Sequence, residues 1–308
     1  MEKFAIYPSS SIKSCSIMNI AIVGATGNVG RKILEVLERK KLKINELFLV
    51  ASSKSACQKI VFNCKDHEVF NLETFDFSKT KITFFAAGGK ISEKYAPLAA
   101  KHSVVIDNSS FYRMDQDVPL IVPQVNADAI KNMKKNIIAN PNCSTAQLVI
   151  ALKPLHDLFK IQRIVVSTYQ SVSGGGKGPM DELIEQTKLS LNNKKITSKN
   201  FTKQIAFNAI PHIDLFSDDG YTKEELKMTN ETKKILDEQI ELTATCVRIP
   251  VMVSHSESVN IQFEKPFSLG EVQDALSNAK GCKVHDLRED GGYITPLEAE
   301  GSDETYIS

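Results

Sequence analysis

The sequence predicts an α/β protein, with a parallel-sheet domain followed by a second α/β domain that contains a mixed sheet. In the first half, short apolar runs ending in small residues alternate with helical patterns, which is typical of a parallel sheet covered on both faces. These runs are NIAIV (19–23), LFLVAS (47–52), KITFFAAGG (81–89) and SVVIDNSS (103–110). Beyond residue 143 the runs are longer and hairpin-like, as in IQRIVVSTYQSVSGG (161–175) and TATCVRIPVMVSHSESVNIQF (243–263).

Helices are predicted between and after these strands. After the first strand, Val29, Ile33, Val36 and Leu37 recur at the spacing of one helical face. Further helices are predicted at YAPLAAKH (95–102), at 143–153 and at FSLGEVQDALSNAK (267–280). The polar stretch 187–200 is expected to be a surface excursion.

The length of the chain allows two domains. With 308 residues, 42% of them hydrophobic, it can form two domains of about 150 residues each. We place the boundary near residue 143, which gives domains 18–143 and 144–308. Residues 1–17 contain no apolar core of a signal peptide and directly precede Met18. We expect them to be a disordered leader, with Met18 as the natural start.

Charge and cysteine usage exclude several classes of protein. A formal net charge of +1 disfavours a nucleic-acid or membrane-surface partner. No apolar run approaches the ~18 residues of a membrane span. The six cysteines are scattered without a CxxC pair, which fits neither a zinc site nor a disulfide scaffold. We therefore expect a cytoplasmic protein without a metal.

A glycine array connects the first predicted strand to the first helix. GATGNVG places Gly24, Gly27 and Gly30 there. Glycines permit a tight turn and let backbone N–H groups approach a pyrophosphate, which then lies on the helix N-terminus. This context predicts a dinucleotide site. The alternative is a glycine-rich turn without a ligand.

The end of the second predicted strand indicates which dinucleotide is bound. NAD sites usually carry a carboxylate there to bind the ribose 2′-OH. This chain has VASSKSA instead, in which Ser52 and Lys54 offer a hydroxyl and a cation. That chemistry suits a 2′-phosphate and predicts NADP. A solvated serine-rich turn is the alternative reading.

Cys143 follows a tight turn in NPNCST and begins a predicted helix. A helix N-terminus lowers a thiol pKa, so Cys143 is either a nucleophile or a small apolar side chain in a gap. A catalytic thiol needs a proton-handling partner. His255 lies in a polar break seven residues after Arg248 and is a candidate, although a solvated strand-end histidine is the commoner case. Gln170, just before SVSGGGKG, indicates either close approach of a ligand to the backbone or a glycine hinge.

Ten motifs in order make the chain resemble the aspartate-β-semialdehyde dehydrogenases. They are GATGNVG, ASSKSA, AAGG, IDNSSFYRMD, PLIVPQVN, NPNCST, STYQSVSGGGKGP, KEELKMTNETKKIL, CVRIPV and SHSESVN. The resemblance implies a Rossmann-like cofactor domain and an α/β domain whose mixed sheet is used for dimerisation, and hence a homodimer. It implies NADP as cofactor, with contacts at Gly24, Thr26, Gly27, Asn28, Val29, Gly30, Ser52, Lys54, Gly88, Ser173 and Gly174.

The resemblance also implies roles for individual residues. Cys143 would be the nucleophile, His255 the acid/base and Gln170 the residue that orients the substrate or acyl intermediate. The Cys143 N–H and the Asn142 side chain are candidate donors to the developing oxyanion. The implied substrate contacts are Arg248 to a carboxylate, Glu224 to an ammonium, and Arg113 with Lys227 to phosphate.

The implied reaction interconverts aspartyl phosphate plus NADPH with aspartate semialdehyde, phosphate and NADP⁺ through a cysteine thioester. It would serve the biosynthesis of lysine, threonine and methionine. The nearest alternative is an N-acetyl-glutamyl-phosphate reductase, against which Glu224 and Arg248 favour an unblocked amino acid.

The chain departs from the family pattern in a few places. Family members continue beyond GSDETYIS with a strand and a helix that packs on the cofactor domain. A chain ending at Ser308 is therefore expected to bind NADP less tightly, or to be a non-catalytic nucleotide-binding remnant. Lys54 stands where arginine is frequent, and Cys57 and Ser254 stand where glycine is common.

Overall fold

The computed structural model describes residues 18–308, so the predicted leader lies outside the described residues. Its strands are β1 (Met18–Val23), β2 (Ile44–Ala51), β3 (Lys59–Phe62), β4 (Lys65–Asn71), β5 (Ile82–Phe85), β6 (Val104–Asp107), β7 (Ile137–Ala139), β8 (Ile161–Gln170), β9 (Glu241–Arg248), β10 (Ser256–Phe263), β11 (Cys282–Val284) and β12 (Thr305–Ile307). Its helices are α1 (Asn28–Arg39), α2 (Gly89–Ala99), α3 (Pro123–Asn126), α4 (Cys143–Phe159), α5 (Lys177–Leu191), α6 (Lys223–Ile235), α7 (Leu269–Ser277) and α8 (Pro296–Ala299).

The strands before α4 form one seven-stranded sheet in the order β3-β4-β2-β1-β5-β6-β7. Its neighbouring strands are parallel except β3 and β4, which form an antiparallel hairpin at one edge. The strand order reverses at β1, with β2 on one side and β5 on the other. Open α/β sheets bind ligands at such a switch point, outside the carboxyl ends of the strands. The predicted parallel sheet is confirmed.

Helices cover both faces of this sheet, as the uniformly apolar β1 predicts. Ala21 and Val23 point into a core that includes the buried face of α2. Ile22, on the opposite side of the strand, packs with Leu34 and Leu37 of α1. A strand buried on both faces has no polar face to alternate, which is why NIAIV is a continuous apolar run.

The second sheet has three strands in the order β10-β8-β9. β8 is antiparallel to β10 and parallel to β9, so the predicted mixed sheet is confirmed. Along β8, buried Ile164 and Val166 alternate with exposed Val165 and Tyr169. The buried face packs on α4 and α6, and the other face is open to solvent in the single chain.

Helix α4 connects the two sheets and carries the cysteine of NPNCST at its first residue. It runs to Phe159, past the predicted end at 153 and through Pro154. A proline inside a helix leaves the carbonyl four residues earlier without its usual N–H donor. The Cys282 thiol lies 3.6 Å from that carbonyl, on Ile150, and donates to it. The lost hydrogen bond is thereby replaced, and the helix continues.

Other predicted boundaries are wrong by several residues. α2 begins at Gly89 rather than 95, because its first turn is polar and shows no apolar period. The first residues of the polar stretch 187–200 belong to α5, and most of the remainder is exposed. The short strands β3 and β7 have only four and three residues, too few for an alternation to be visible in the sequence.

Residues 18–308 contain neither a candidate membrane span nor a candidate metal site. None of the helices there has the length and apolarity needed to cross a membrane. The same range holds no group of three or more His, Cys, Asp or Glu side chains arranged to bind a metal ion.

Candidate active site

The predicted functional residues of the first domain lie at the carboxyl edge of the seven-stranded sheet. Five loops emerge there, after β1, β2, β5, β6 and β7. They carry residues 24–30, 52–55, 86–88, 108–113 and 140–143. Parallel strands bring these loops together although more than 110 residues separate the first from the last.

The glycine loop after β1 is packed so closely that side chains are excluded at two positions. Gly24 has φ +89°, and a Cβ there would lie 2.6 Å from the Ala86 carbonyl oxygen. A Cβ on Gly30 would lie 2.2 Å from the Gly24 oxygen. The Gly24 N–H donates to the Val50 carbonyl of β2 at 2.8 Å. These contacts press the turn against the switch point of the sheet.

The surface of this turn suits an anion. Gly27, Asn28 and Val29 are exposed and Thr26 is half-buried. α1 begins without a side-chain cap and without an acid in its first turn, so its N–H groups and positive end are open to an anion. Gly88, with φ +86°, directly precedes α2 at the same edge, and this helix also lacks a side-chain cap. The arrangement fits the phosphates of a dinucleotide.

The turn after β2 carries the residues predicted to select the cofactor. Ser52 and Lys54 are both exposed, at and within a short 3₁₀ turn, Ser53–Ser55. Cys57 follows with φ +63°. Ser254, next to His255, has φ +71°. Both positions were noted for lacking a common glycine, and the left-handed backbone explains why glycine suits them.

Cys143 and His255 meet although 112 residues separate them. The Cys143 Sγ lies 3.2 Å from His255 Nε2. The Ser171 backbone N–H donates to His255 Nδ1 at 3.0 Å, and the Ser171 Oγ is 3.1 Å from the same nitrogen. A backbone N–H can only donate, so Nδ1 is an acceptor. The proton of the neutral imidazole is therefore on Nε2 and faces the sulfur.

The surroundings keep this pair uncharged in the free protein. Burial raises the pKa of the Cys143 thiol, and the Glu224 carboxylate adds to the rise. The Ser144 N–H, Arg248 and Arg113 oppose it. Because Cys143 is also open to solvent, hydration of the thiolate moderates the rise. Burial and then the Arg248 charge lower the pKa of His255 to about 4.

Ser171 and Gly174 connect His255 to Arg248. The Arg248 guanidinium is buried and donates from Nη1 to the Ser171 carbonyl. A Cβ on Gly174 would lie 3.5 Å from His255 Nε2, an ordinary contact, and 3.2 Å from Arg248 Nη1, so a larger residue would push slightly on the guanidinium. Ser173 anchors the same loop, donating its N–H to the Met252 carbonyl at 3.1 Å. The segment after β8 that contains Ser173 and Gly174 therefore forms a wall of the site.

Glu224 organises the opposite side of the site. Its Oε1 accepts from Asn142 Nδ2 at 2.9 Å and from Gln170 Nε2 at 3.0 Å. Asn142 also caps α4, its Oδ1 accepting from the Ser144 N–H at 2.9 Å. One amide hydrogen of Asn142 is thus committed to Glu224, and only the other is left for an oxyanion. Gln170 is 1% exposed and is held in turn by Thr168.

Lys227 pairs with acidic side chains in the free protein. Its Nζ lies 3.1 Å from Glu224 Oε2 and 2.7 Å from Asp214 Oδ2. Burial favours the neutral amine, but the two carboxylates outweigh it and raise the pKa of Lys227. Burial likewise opposes ionisation of Glu224, but Lys227 and the amide donors outweigh it and lower the pKa of that carboxyl. Both groups are charged at neutral pH.

Arg113 reaches the site from the loop after β6 and is buried there. Its Nη1 is 3.0 Å from Glu231 Oε1, its Nε donates to the Asn140 carbonyl at 2.9 Å, and its Nη2 donates to the Asn108 carbonyl at 3.2 Å. The second oxygen of Glu231 accepts the Asn142 N–H at 2.6 Å. Glu231 thus connects Arg113 to the residue before Cys143.

The structure brings together all eight residues predicted as catalytic or substrate-binding, and it adds two that the sequence analysis missed. Glu231 had a detectable signal, because Glu224, Lys227, Glu231 and Lys234 follow a spacing of three, four and three residues on one face of α6. Ser171 had none, since its role depends on where β9 ends and β10 begins. The contact between Asn28 Nδ2 and Met180 Sδ, at 3.8 Å, ties the cofactor loop to α5.

Family models match both halves of the chain. A model described as semialdehyde dehydrogenase, NAD binding domain, matches residues 19–133. A second, described as semialdehyde dehydrogenase, dimerisation domain, matches residues 152–308. The fold and the site thus define a two-domain semialdehyde dehydrogenase with a nicotinamide cofactor domain.

Known proteins are similar over nearly the whole described chain. The aspartate-semialdehyde dehydrogenase of Aquifex aeolicus is 50% identical over 293 residues, covering 94% of this chain and 86% of the relative. That of Helicobacter pylori is 46% identical and covers 94% and 87%. A crystal structure of aspartate semialdehyde dehydrogenase II from Vibrio cholerae, complexed with ASA, has a TM-score of 0.91 at 46% identity and covers 94% and 86%. The chain belongs to the aspartate-semialdehyde dehydrogenase family.

Proposed function

We propose that the protein is an NADP-dependent aspartate-semialdehyde dehydrogenase that acts through a Cys143 thioester. The observation that carries this proposal is the 3.2 Å contact between Cys143 Sγ and His255 Nε2 at the carboxyl edge of the cofactor sheet. A thiol and an imidazole in contact form the pair that covalent acyl transfer requires. Their position at the same edge of the sheet as the glycine loop favours redox chemistry over hydrolysis.

Charged groups around the thiol match an amino acid with a free ammonium and carboxylate. The buried Arg248 guanidinium can fork onto the carboxylate. Glu224 can take the ammonium, in competition with Lys227. Gln170 orients the acyl group, and Arg113 with Lys227 binds phosphate. An N-acetylated substrate would have no ammonium for Glu224, which favours the unblocked amino acid over an N-acetyl-glutamyl substrate.

In the biosynthetic direction, the sulfur of Cys143 attacks the acyl phosphate carbon and gives up its proton, which leaves with phosphate as the C–O bond breaks. NADPH, when bound, supplies the hydride that reduces the thioester to a hemithioacetal. The free Cys143 N–H and the remaining Asn142 amide hydrogen stabilise the oxyanion. His255 exchanges a proton with the hemithioacetal oxygen through Nε2, and collapse releases the aldehyde and the thiolate. When His255 acts as an acid it is an imidazolium, whose second proton, taken up from solvent, lies on Nδ1 and donates to the Ser171 Oγ at 3.1 Å.

Selection of NADP over NAD rests on the turn after β2. Ser52 and Lys54 are exposed at the edge next to the glycine loop, and the turn from Ser52 to Ala56 has no carboxylate. A hydroxyl and a cation favour a 2′-phosphate, whereas a carboxylate would repel it. Equal KM values for NAD⁺ and NADP⁺ would contradict this part of the proposal.

We further propose a homodimer formed through the open face of the three-stranded sheet. Val165 and Tyr169 of β8 are exposed there, on a central strand where large side chains are usually covered. The family model over this half is a dimerisation domain, which supports the assignment. Sedimentation analysis of the purified protein tests it, with Val165→Asp expected to give monomers.

The decisive experiment measures phosphate-dependent reduction of NADP⁺ by the purified 308-residue protein with aspartate semialdehyde. N-acetyl-glutamate semialdehyde, tested in parallel, separates the two acyl-phosphate enzymes. Turnover with the first substrate alone supports the proposal. A thermal shift with NADPH but no turnover with either substrate would instead support a non-catalytic nucleotide-binding protein.

A further inference from the structure

We propose that Glu231 is a positioning residue that couples the Arg113 guanidinium to the turn carrying Cys143. The inference rests on the proposed function only in assigning Arg113 to phosphate. Glu231 touches neither the sulfur nor His255. It acts through the two groups that its carboxylate oxygens bind, one from the loop after β6 and one from the turn before α4.

The geometry gives each carboxylate oxygen one partner. Oε1 is 3.0 Å from Arg113 Nη1, and Oε2 is 2.6 Å from the Asn142 N–H. Glu231 is 1% exposed, so water does not compete for these bonds. A displacement of the carboxylate would therefore move Arg113 and Asn142 together.

The hydrogen bonds of Arg113 leave it competent for an anion. A guanidinium has five N–H groups, and Glu231, Asn140 and Asn108 accept three of these, one from each nitrogen. One hydrogen on Nη1 and one on Nη2 stay free. Without Glu231 the arginine would lose its only carboxylate partner among the described residues, and its orientation would be set by two carbonyls alone.

The partner on the other side lies next to the nucleophile. The Asn142 N–H is one residue from Cys143, and the Asn142 side chain caps α4 and binds Glu224. Arg113 itself lowers the pKa of the Cys143 thiol through its charge, although burial and Glu224 dominate in the opposite direction. An anion bound to Arg113 would therefore raise the pKa of the Cys143 thiol, and Glu231 fixes the distance between the guanidinium and the sulfur.

Folding of the Arg113 loop does not depend on Glu231 alone. Lys234, one helical turn further along α6, donates from Nζ to the carbonyls of Arg113, Asp115 and Val118 at 2.7, 2.8 and 3.0 Å. The loop keeps these bonds when Glu231 is replaced. A defect in a Glu231 variant would therefore report on the guanidinium and the Asn142 turn rather than on loss of the loop.

The test compares Glu231→Gln with Glu182→Gln. Glu182 is a matched control because it is 4% exposed and accepts bonds from Gln186, Lys199 and Asn200, none of which is a hydrogen-bond partner of Glu231. In E231Q we expect the KM for phosphate to rise at least about tenfold and kcat to fall about 10-fold to 10²-fold, the scale of a misplaced reacting group. The KM for NADP⁺ should stay within about twofold in both variants.

A second measurement does not require turnover. The rate at which iodoacetamide alkylates Cys143 is followed on the peptide that contains it, because Cys57 and Cys64 are also exposed. We expect phosphate to slow this reaction in the wild type by neutralising Arg113. The phosphate concentration for half-maximal slowing should rise at least about tenfold in E231Q and stay within about twofold in E182Q. If the wild type does not oxidise the semialdehyde, the proposed function fails, and alkylation alone decides this inference.

Three results would overturn the inference: an unchanged phosphate dependence in E231Q, the same shift in E182Q, or no effect of phosphate on wild-type alkylation. Glu231→Asp, which withdraws the carboxylate by one methylene, replaces the glutamine variant if that variant does not fold. The same rise in phosphate dependence is expected for it.

Discussion

Two regions at the same edge of the seven-stranded sheet are built by opposite means. The glycine loop, Gly24–Gly30, is made of backbone, and its shape follows from the absence of side chains. The site around Cys143 is made of buried side chains from five distant parts of the chain, joined by hydrogen bonds. A substitution that adds a side chain disturbs the glycine loop, whereas a substitution that removes a hydrogen-bonding group disturbs the site around Cys143.

This difference has a consequence for coupling. The glycine loop touches its neighbours through van der Waals contact and a few backbone bonds, so damage there stays local. In the Cys143 site Glu224 and Glu231 each bind two or more partners, so a substitution of one residue also displaces the residues bound to it. Variants that lower cofactor binding without altering the thiol, or the reverse, test whether the regions are separable.

The largest effect is expected for Cys143→Ser. A serine hydroxyl beside a neutral imidazole is a far weaker nucleophile, so semialdehyde oxidation should fall by more than about 10⁴-fold. The NADPH-induced thermal shift should persist, because the glycine loop does not depend on the sulfur. Appreciable turnover in this variant would contradict the covalent mechanism.

His255→Ala is expected to lower kcat by roughly 10²-fold to 10⁴-fold, the range for a general acid/base. Cofactor affinity should not change. Because burial and Arg248 keep His255 neutral above about pH 4, alkylation of Cys143 in the wild-type enzyme should rise steadily with pH. A plateau between pH 5 and pH 8 would instead reveal a preformed thiolate–imidazolium pair.

Gly30→Ala tests the backbone-built region. Its Cβ would lie 2.2 Å from the Gly24 oxygen, so the loop must shift, at a cost of about 1–3 kcal/mol in the free energy of unfolding. The NADPH-induced thermal shift should be lost, while the alkylation rate of Cys143 stays unchanged. Gly270→Ala is the control, since a Cβ there meets no atom within 4 Å. A changed alkylation rate in Gly30→Ala would show that the regions are coupled.

A smaller effect, dependent on pH, is expected at Glu257, two residues after His255. Gln147 of α4 donates to it at 2.8 Å, but burial dominates and raises the pKa of Glu257 to about 8. Between the usual carboxyl pKa and about 8, the folded protein keeps a proton that the unfolded chain has released. Stability therefore falls as pH rises through this window.

Glu257→Gln resembles the protonated acid and does not titrate. Its melting temperature relative to the wild type should therefore increase by roughly 2–4 °C between pH 5 and pH 8. Glu264→Gln, at an exposed position just beyond the same strand, should show no such trend. A difference that is constant with pH would argue that Glu257 is ionised in the folded protein.

The smallest effect is expected for Cys57→Gly, near the cofactor loop. Cys57 has φ +63°, a conformation that costs an L-residue about 1 kcal/mol and glycine very little. Part of the gain is lost to the greater freedom of glycine when unfolded, so a stabilisation of about 0.5 kcal/mol is expected. Cys57→Ala removes the thiol but keeps the Cβ and should give no gain.

Much of the fold was predictable from local pattern. The buried strands β1, β2, β5 and β6 follow from apolar runs, and the start of α4 follows from the NPNCST turn, with Asn142 as its cap. The hairpin β3–β4 and the strand β7 were not, because pairing with neighbours stabilises segments too short to show a period. The helix end at Phe159 was missed because the Cys282 thiol, far away in sequence, offsets Pro154.

The sequence by itself determined the backbone-built region: a glycine array between a strand and a helix specifies a tight turn, in which Gly24 and Gly30 leave no room for a side chain. Motif order also led to the prediction that Cys143, His255, Gln170, Glu224 and Arg248 are the site residues, and the structure brings these side chains together. Only the tertiary structure decided how they act together. Three features join residues that are 80 or more positions apart. They are the 3.2 Å contact between the Cys143 thiol and the His255 imidazole, the placement of the imidazole proton on Nε2 by Ser171, and the hydrogen bonds of Glu231 to both Arg113 and Asn142. Such contacts depend on where strands end in space, which no local pattern encodes.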